Sequence, residues 1–343
     1  MIALIFSVFL ITLFLGFPVA ICLALTTVSG LLFQDLPLIV VVQRMFQGFN
    51  SFSLLAVPFF VLAGELMNKC GITQRLIDFS YMLVGRIPGG LAHANIAASM
   101  FFGGISGSAV ADTAAIGSIM VPGMIRNGYH AGFSAAVTAA SSTMGPIIPP
   151  SILMVIMGVT TGMSIGGLFM AGLVPGLMLG VGMMIYSYFI AIRDNYPKDP
   201  NPLTLRRVLR ELYNAGPALL APGIIMGGIM FGWFTPTEAA AVAVLYALFL
   251  GMCYRVLTLK ALYEVFSSSV ITTATLLLII GTANAFAWLL AAEQIPNQLA
   301  TMIQSITTNK FAILMLLNLL LLFVGMFLEG GAAIIILAPP LLN

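Results

Sequence analysis

Long apolar runs separated by short polar punctuation set the elements of this chain. Residues 2–32 carry no charged side chain and are long enough to cross a bilayer with tilt, with Pro18 as a kink. Residues 36–49, which include Arg44, are too short to cross and read as a surface arm. Residues 52–67 form a second span, and 73–85 a short amphipathic helix. Residues 165–192 form a clean span with enough glycine for close packing. A hydrophilic loop, 193–211, follows. Residues 216–233 and 236–254 span again, the latter with Thr235 as N-cap and Glu238 in the first turn. Residues 259–266 read as another arm, 270–290 as a span and 296–306 as an amphipathic helix. An apolar arm, 311–327, then runs into Glu329-Gly330-Gly331.

Residues 88–150 break this rhythm. After Pro88-Gly89-Gly90, the apolar run 91–102 is only about 12 residues, roughly 18 Å of helix. It ends in Gly103-Gly104-Ile105-Ser106-Gly107-Ser108, and a small-residue segment with Asp112 leads on to Pro122-Gly123. A crossing needs about 20 apolar residues. The pattern therefore predicts a re-entrant helical hairpin that turns at Ser106-Gly107-Ser108 and leaves on the side it entered. Residues 131–144 then read as half a helix, interrupted by Gly145-Pro146-Ile147-Ile148-Pro149-Pro150 and resumed over 151–160. Three prolines in five residues remove amide donors and free carbonyls. Irregular backbone at membrane depth survives only against protein or a wet cavity. A broken hairpin beside a broken helix is the pattern of an ion-coupled transporter's midplane site.

Composition agrees. The mean hydropathy is +1.10 and charged residues make up 7%, which excludes a soluble globular class and predicts a polytopic protein of the lipid bilayer. The net charge of +2, without a basic run, gives no reason to expect nucleic acid. Cys22, Cys70 and Cys253 form no metal motif and are expected to pack as small apolar residues. Placing the 193–210 basic loop in the cytoplasm puts eleven of the thirteen Lys and Arg residues inside, leaving Arg44 and Lys310 outside.

The order of span, arm, span, amphipathic helix and hairpin runs over 2–125 and recurs from about 236 with inverted topology, as alternating access requires. The expected organisation is scaffold spans and arm of the first repeat (1–87), transport-domain hairpin and broken helix (88–164), closing span (165–192) and cytoplasmic loop (193–212). A linking span with the scaffold and arm of the second repeat (213–310) and the start of a second hairpin (311–343) complete it. The second copy ends inside its hairpin, so the expectation is a truncated or partly represented chain without a second broken helix.

The hydroxyls of Ser106 and Ser108 and the freed carbonyls near Gly145 to Pro149 are hard oxygen ligands suited to Na⁺ or protons. The competing reading is that glycine and serine only let helices approach. Asp112 reads equally as an interhelical hydrogen-bonding group or N-cap and as a direct ligand, because a mid-bilayer carboxylate needs a partner or water. Glu329 reads as a helix-start carboxylate or a site residue. His93 and His130 read as structural, and Trp233 as an interface anchor. Gly104-Ile105-Ser106-Gly107 also matches the GxSG of an intramembrane serine protease. That chemistry needs a histidine base, and His130, the only later histidine, falls at the predicted cytoplasmic end.

Three stretches carry a family resemblance: residues 102–113 (FGGISGSAVADT), residues 144–151 (MGPIIPPS) and residues 327–331 (FLEGG). They resemble the large membrane subunit of TRAP (tripartite ATP-independent periplasmic) transporters, over essentially the whole chain. The resemblance implies an all-α elevator-type secondary transporter with inverted repeats and no cofactor beyond Na⁺ as coupling ion. It implies a small four-helix membrane partner, a periplasmic substrate-binding protein, an organic-acid substrate such as sialic acid or a C4-dicarboxylate, and residence in the bacterial inner membrane. Position by position, one cation site uses Gly104, Ser106, Ser108, Gly145 and Ile148. A second uses Gly325, Glu329, Gly330 and Gly331 with residues beyond this chain. Asp112, Thr113, Thr143 and Ser151 are the candidate substrate contacts, where half-helix N-termini and hydroxyls would meet a carboxylate. A binding-protein-independent Na⁺/dicarboxylate symporter of the same superfamily is the alternative, disfavoured because the tip reads Ser-Gly-Ser where such relatives carry Ser-Asn-Thr.

Overall fold

In the computed structural model, which describes residues 2–295, 298, 309–326, 328 and 330–342, residues 2–33 fold as two helices instead of one kinked span. These are α1 (Ile2–Phe14) and α2 (Val19–Phe33). Gly16 lies at φ +82° and closes α1, with its amide donating to Leu13 O at 3.0 Å and the Phe17 amide to Thr12 O at 3.2 Å. This is the Schellman pattern, which a left-handed glycine makes possible. Pro18 then opens α2, and α1 lies back along it. At about 20 Å and 22 Å, neither helix matches the ~30 Å hydrocarbon core.

The remaining helices follow the predicted order. They are α3 (Ile39–Phe49), α4 (Ala56–Lys69), α5 (Ile72–Val84), α6 (Gly90–Ser106), α7 (Ala109–Arg126), α8 (Ala131–Ser142) and α9 (Ile152–Thr161). Then come α10 (Ile165–Arg193), α11 (Leu205–Met230), α12 (Pro236–Cys253), α13 (Leu259–Ala292), α14 (Lys310–Gly325) and α15 (Gly330–Leu342). Among the described residues there is no strand. Among the described residues, five stretches are long and apolar enough to cross a membrane: Phe52–Lys69, α10, α11, α12 and α13.

Two later boundaries also differ from the sequence expectation. The hydrophilic loop is shorter, because Thr204 caps α11 by accepting from the Arg207 amide at 3.3 Å, so residues 205–215 are helical. The second arm and its span are one 34-residue helix, α13, since the serines at 267–269 do not stop it. Helix α12 begins as expected: Thr235 Oγ1 accepts from the Glu238 amide at 3.3 Å and Glu238 Oε2 accepts from the Thr235 amide at 2.8 Å, a capping box with Pro236 in the first turn. Cys22 and Cys70 are buried, whereas Cys253 is exposed. The expected amphipathic helix at 296–306 lies outside the described residues, apart from Gln298.

By packing, the chain divides into two units. One comprises Leu55–Val155 and Ser164–Ile271. In it α4 lies along α12, α5 packs against α6 and α11, and α7 against α8. Ile96, Met124, Val137, Met144 and Ile148 share its core, which joins α6, α7, α8 and the segment after α8. The other unit comprises Met1–Leu54, Ile156–Met163 and Thr272–Asn343. There Leu31, Val41 and Ala285 form a small core, Arg44 lies 5.0 Å over the Trp288 ring, and Gln34 donates to Glu293.

Candidate functional site

The first unit contains the hairpin. At its base, the Leu91 amide donates to Tyr129 Oη at 3.3 Å, and Asn95 near the start of α6 reaches Met124 near the end of α7. At its tip, Gly107 at φ +60° reverses the chain and donates to Gly103 O at 2.9 Å. Ser108 caps α7 by accepting from the Ala111 amide at 3.4 Å. The arms hold 17 and 18 residues, each about 26 Å, which is longer than the sequence expectation. Gly103 to Ser106 stay helical, so the turn is confined to Gly107 and Ser108.

The missing side chains at the tip explain that length. A methyl group on Gly103 would sit 2.9 Å from Gly145 Cα, and one on Gly145 would sit 3.2 Å from the Ser108 carbonyl. One on Gly107 would meet the Ile152 amide nitrogen at 2.9 Å, and one on Gly104 the Pro149 carbonyl at 3.1 Å. The tip is therefore pressed, backbone to backbone, against the interruption between α8 and α9. Within that interruption, Met144 O accepts from the Ile147 and Ile148 amides at 2.9 and 2.8 Å. Ser151 Oγ donates to Pro146 O at 2.6 Å and accepts from the Met154 amide at 3.4 Å. Among the described residues, no backbone amide donates to the carbonyl of Gly145 or Ile148. Gly104, Ser106, Ser108, Gly145 and Ile148 are thus brought to one place, with oxygen atoms left over.

The candidate substrate contacts separate. Thr113 and Thr143 are exposed, with hydroxyls donating to Ala109 O at 2.9 Å and Ala140 O at 2.7 Å. Ser151 is buried and committed to the local bonds above. Asp112 is completely buried on α7, facing Ser99 of α6 and Ser142 of α8. Of the second cation set, Gly325 ends α14 in open space and Gly330 and Gly331 open α15, while Glu329 lies outside the described residues.

Sequence reasoning missed the polar stripe behind the tip. Asn95 and Ser99 lie one turn apart on α6, and Thr138, Ser141 and Ser142 share a face of α8. Asn95 Nδ2 donates to Thr138 Oγ1 at 2.7 Å, and the Ser99 and Ser141 hydroxyls pair at 3.0 Å. The helical spacing of these residues was the available signal.

The hairpin base is tied to the loop at 194–204. Pro197 O accepts from the Gly90 amide and from Tyr129 Oη, both at 3.3 Å, and the Asp199 amide donates to Gly85 O at 2.7 Å. Arg207 donates to Asp199 Oδ2 at 2.7 Å, and Asn201 donates to Oδ1 from its backbone at 3.0 Å and its side chain at 2.9 Å. Burial pushes the Asp199 carboxyl up, but these donors outweigh it and hold the group below the usual carboxylate range. The protease geometry is absent. His130 precedes α8 at the hairpin base, a 12-residue helix or about 18 Å from the Gly145 end that meets the tip.

Comparison with known proteins agrees with this architecture. Residues 6–343 match the family model of the tripartite ATP-independent periplasmic transporter, DctM component. The chain is 44% identical over 329 residues to the sialic acid TRAP transporter large permease protein SiaM of Vibrio cholerae, covering 95% of this chain and 77% of that protein. It is 42% identical over 297 residues to the C4-dicarboxylate TRAP transporter large permease protein DctM of Pseudomonas aeruginosa, covering 86% and 69%. It is 37% identical over 330 residues to the 2,3-diketo-L-gulonate TRAP transporter large permease protein YiaN of Escherichia coli, covering 96% and 77%. A chain that is all-helical among the described residues, with these candidate spans, a helical hairpin pressed against a broken helix and this degree of likeness belongs to the DctM family of TRAP transporter large permeases, multi-pass proteins of the bacterial inner membrane.

Proposed function

We propose that the chain is the large membrane subunit of a sodium-coupled importer of an organic acid, which a periplasmic binding protein delivers and a small four-helix membrane subunit accompanies. The observation that carries the sodium reading is the hairpin tip against the interrupted helix. Ser106 and Ser108 lie at that tip, and the interruption it presses against leaves the carbonyls of Gly145 and Ile148 without a backbone donor among the described residues, which supports a cation held there by hydroxyl and carbonyl oxygens. Such oxygens replace a sodium ion's hydration shell, and binding the ion would hold hairpin and broken helix as one body for an elevator movement. The relatives named for sialic acid, a C4-dicarboxylate and a diketo-gulonate all carry acids, which supports an organic-acid substrate. Thr113 and Thr143 are the candidate contacts for its carboxylate, with the helix N-termini at the tip. The second cation site is proposed at Gly325, Glu329, Gly330 and Gly331.

The energetics allow this. Each sodium ion moved inward carries about 2.3 kcal/mol per 100 mV, and a tenfold concentration gradient adds about 1.4 kcal/mol. The test is uptake of labelled organic acids into proteoliposomes holding the permease with its small subunit, with and without the binding protein. Accumulation that needs both a sodium gradient and the binding protein supports the reading. Accumulation without the binding protein favours the stand-alone symporter, and uptake indifferent to sodium removes the coupling.

A further inference from the structure

The start of α11 differs from the rest of that helix. Residues 205–214 hold three arginines and one glutamate, whereas 215–230 carry no charge. At 26 residues the helix is about 39 Å long, so its first turns reach past a hydrocarbon core of ~30 Å. Packing settles its inner face, because Val208, Ala215 and Leu219 share a core with Phe79 and Met82 of α5. Leu205, Leu209, Leu212 and Tyr213 recur at i, i+4, i+7 and i+8, the spacing of one helical stripe, and each is 48–85% exposed. Gly216 and Leu220 carry that stripe into the apolar span: a methyl group on Gly216 would meet nothing within 4 Å, and Leu220 is exposed. Arg206 and Arg210 lie one turn apart beside the stripe. Both are exposed, and neither side chain has an ion-pair or hydrogen-bond partner among the described residues. Arg207 points elsewhere, to Asp199 Oδ2 at 2.7 Å.

Four apolar side chains held in water are unfavourable, and a membrane surface removes that cost. There the leucines enter the acyl boundary, Tyr213 keeps its hydroxyl among the headgroups, and the arginine stems lie along the apolar stripe with their charges at phosphate level. Pro217 lacks the amide that would bond to Tyr213 O, so the helix ladder is open where these turns leave the span. The planar donors of a guanidinium match the oxygens of a phosphodiester. In a zwitterionic lipid that phosphate already has the lipid's own cation beside it, so two unpaired arginines favour a headgroup with net negative charge. We propose that Arg206 and Arg210, with Leu205, Leu209 and Tyr213 as the apolar seat, form a binding site for an anionic phospholipid. The lipid then sits on the turn whose Arg207 holds Asp199, and with it the loop at the hairpin base. The site is independent of which ion drives transport.

The test is native mass spectrometry of the purified, delipidated full chain in detergent, titrated with dioleoyl phosphatidylglycerol, dioleoyl phosphatidylcholine or soluble glycerol 3-phosphate. The tightest site is expected to prefer phosphatidylglycerol over phosphatidylcholine by about 30-fold, the effect of two basic side chains at an anionic headgroup. Arg206→Gln/Arg210→Gln should lose that preference. Arg126→Gln/Lys260→Gln, which removes the same charge from other exposed positions, should keep it. Leu209→Gln should weaken both lipids alike and leave the preference standing, because it alters the seat and not the charge. Glycerol 3-phosphate should not displace the lipid at equal concentration. Equal binding of the two lipids by the unaltered protein overturns the proposal, as does a preference that survives in Arg206→Gln/Arg210→Gln or falls equally in the control pair. Displacement by glycerol 3-phosphate would make this a site for free phosphate and end the lipid reading. Loss of the tightest lipid when the small membrane subunit is added would give the face to that protein and end it as well.

Discussion

Gly103 on the first arm of the hairpin and Gly145 in the interruption after α8 touch through their backbones, with no space for a methyl group between them. That contact fixes how closely the serine hydroxyls of the tip approach the carbonyls of the interrupted helix. Gly103→Ala should therefore force the arm away. Overpacking of this kind costs about 1–3 kcal/mol. The expected outcome is a lower melting temperature in detergent together with weaker sodium dependence of uptake. Gly123→Ala, on the same hairpin but with nothing within 4 Å of the added methyl, is the control. It should leave both unchanged or gain stability of about 0.5–1 kcal/mol from helix propensity. Equal behaviour of the two variants would mean that the tip contact does not govern the site.

The hydroxyls of Ser106 and Ser108 carry the tip's cation chemistry in the proposed mechanism. Loss of one ligand hydroxyl should remove about 1–1.5 kcal/mol of ion binding, or roughly a tenfold rise in the half-saturating sodium concentration. Ser106→Ala is expected to show that rise in an uptake titration, with the maximal rate at saturating sodium largely kept. An unchanged sodium curve would assign the serines to helix packing alone.

The broken region was legible because its chemistry is local. Gly107 reverses the chain by its own backbone freedom, and Pro146, Pro149 and Pro150 interrupt a helix whatever surrounds them. The division of the first span was not legible. Gly16 and Pro18 fit a kink as well as a break, and the outcome depends on whether Gly16 goes left-handed, which packing of α1 on α2 decides. The length of α6 was underestimated for a related reason. Gly103 and Gly104 look like breakers in sequence, yet they are the faces on which the helix passes Gly145 and Pro149. The surroundings of Asp112 depended on which face of α8 meets α6, a fact that only tertiary structure supplies.

Asp199 anchors the loop that holds the hairpin base, and its side chain is only 2% exposed. Its folded carboxyl titrates below the usual carboxylate range. Its contribution is therefore complete above the unfolded value of about 3.9 and disappears as the pH falls through the lower folded value. Asp199→Asn removes hydrogen bonds to a charged group, worth about 1.5–3 kcal/mol. At pH 7 the variant should melt below the unaltered protein. As the pH is lowered below about 4 and through the depressed folded value, the two melting temperatures should converge, because the unaltered carboxylate is then being protonated. A gap that stays constant with pH would show that the pair's charge contributes nothing.

Thr143 and Ser151 flank the interruption and were read alike in sequence, but the structure gives them different work. Thr143 is exposed, and among the described residues its hydroxyl bonds only to the Ala140 carbonyl, one turn back at the end of α8. Thr143→Val keeps the shape and removes that hydroxyl, so stability should change by no more than about 0.5 kcal/mol. If the hydroxyl faces the substrate carboxylate, the KM for the organic acid should rise about tenfold, the effect of one lost hydrogen bond of about 1.4 kcal/mol. Ser151 is buried, bridges Pro146 O and the Met154 amide, and starts α9. Ser151→Ala should cost about 0.5–2 kcal/mol of stability, as loss of a helix cap does. Its KM at saturating sodium should move less than that of Thr143→Val. Paired melting curves and uptake kinetics on the two variants separate the roles. A reversed result, with KM following Ser151 and stability following Thr143, would place the substrate inside the interruption instead of on the exposed face of the tip.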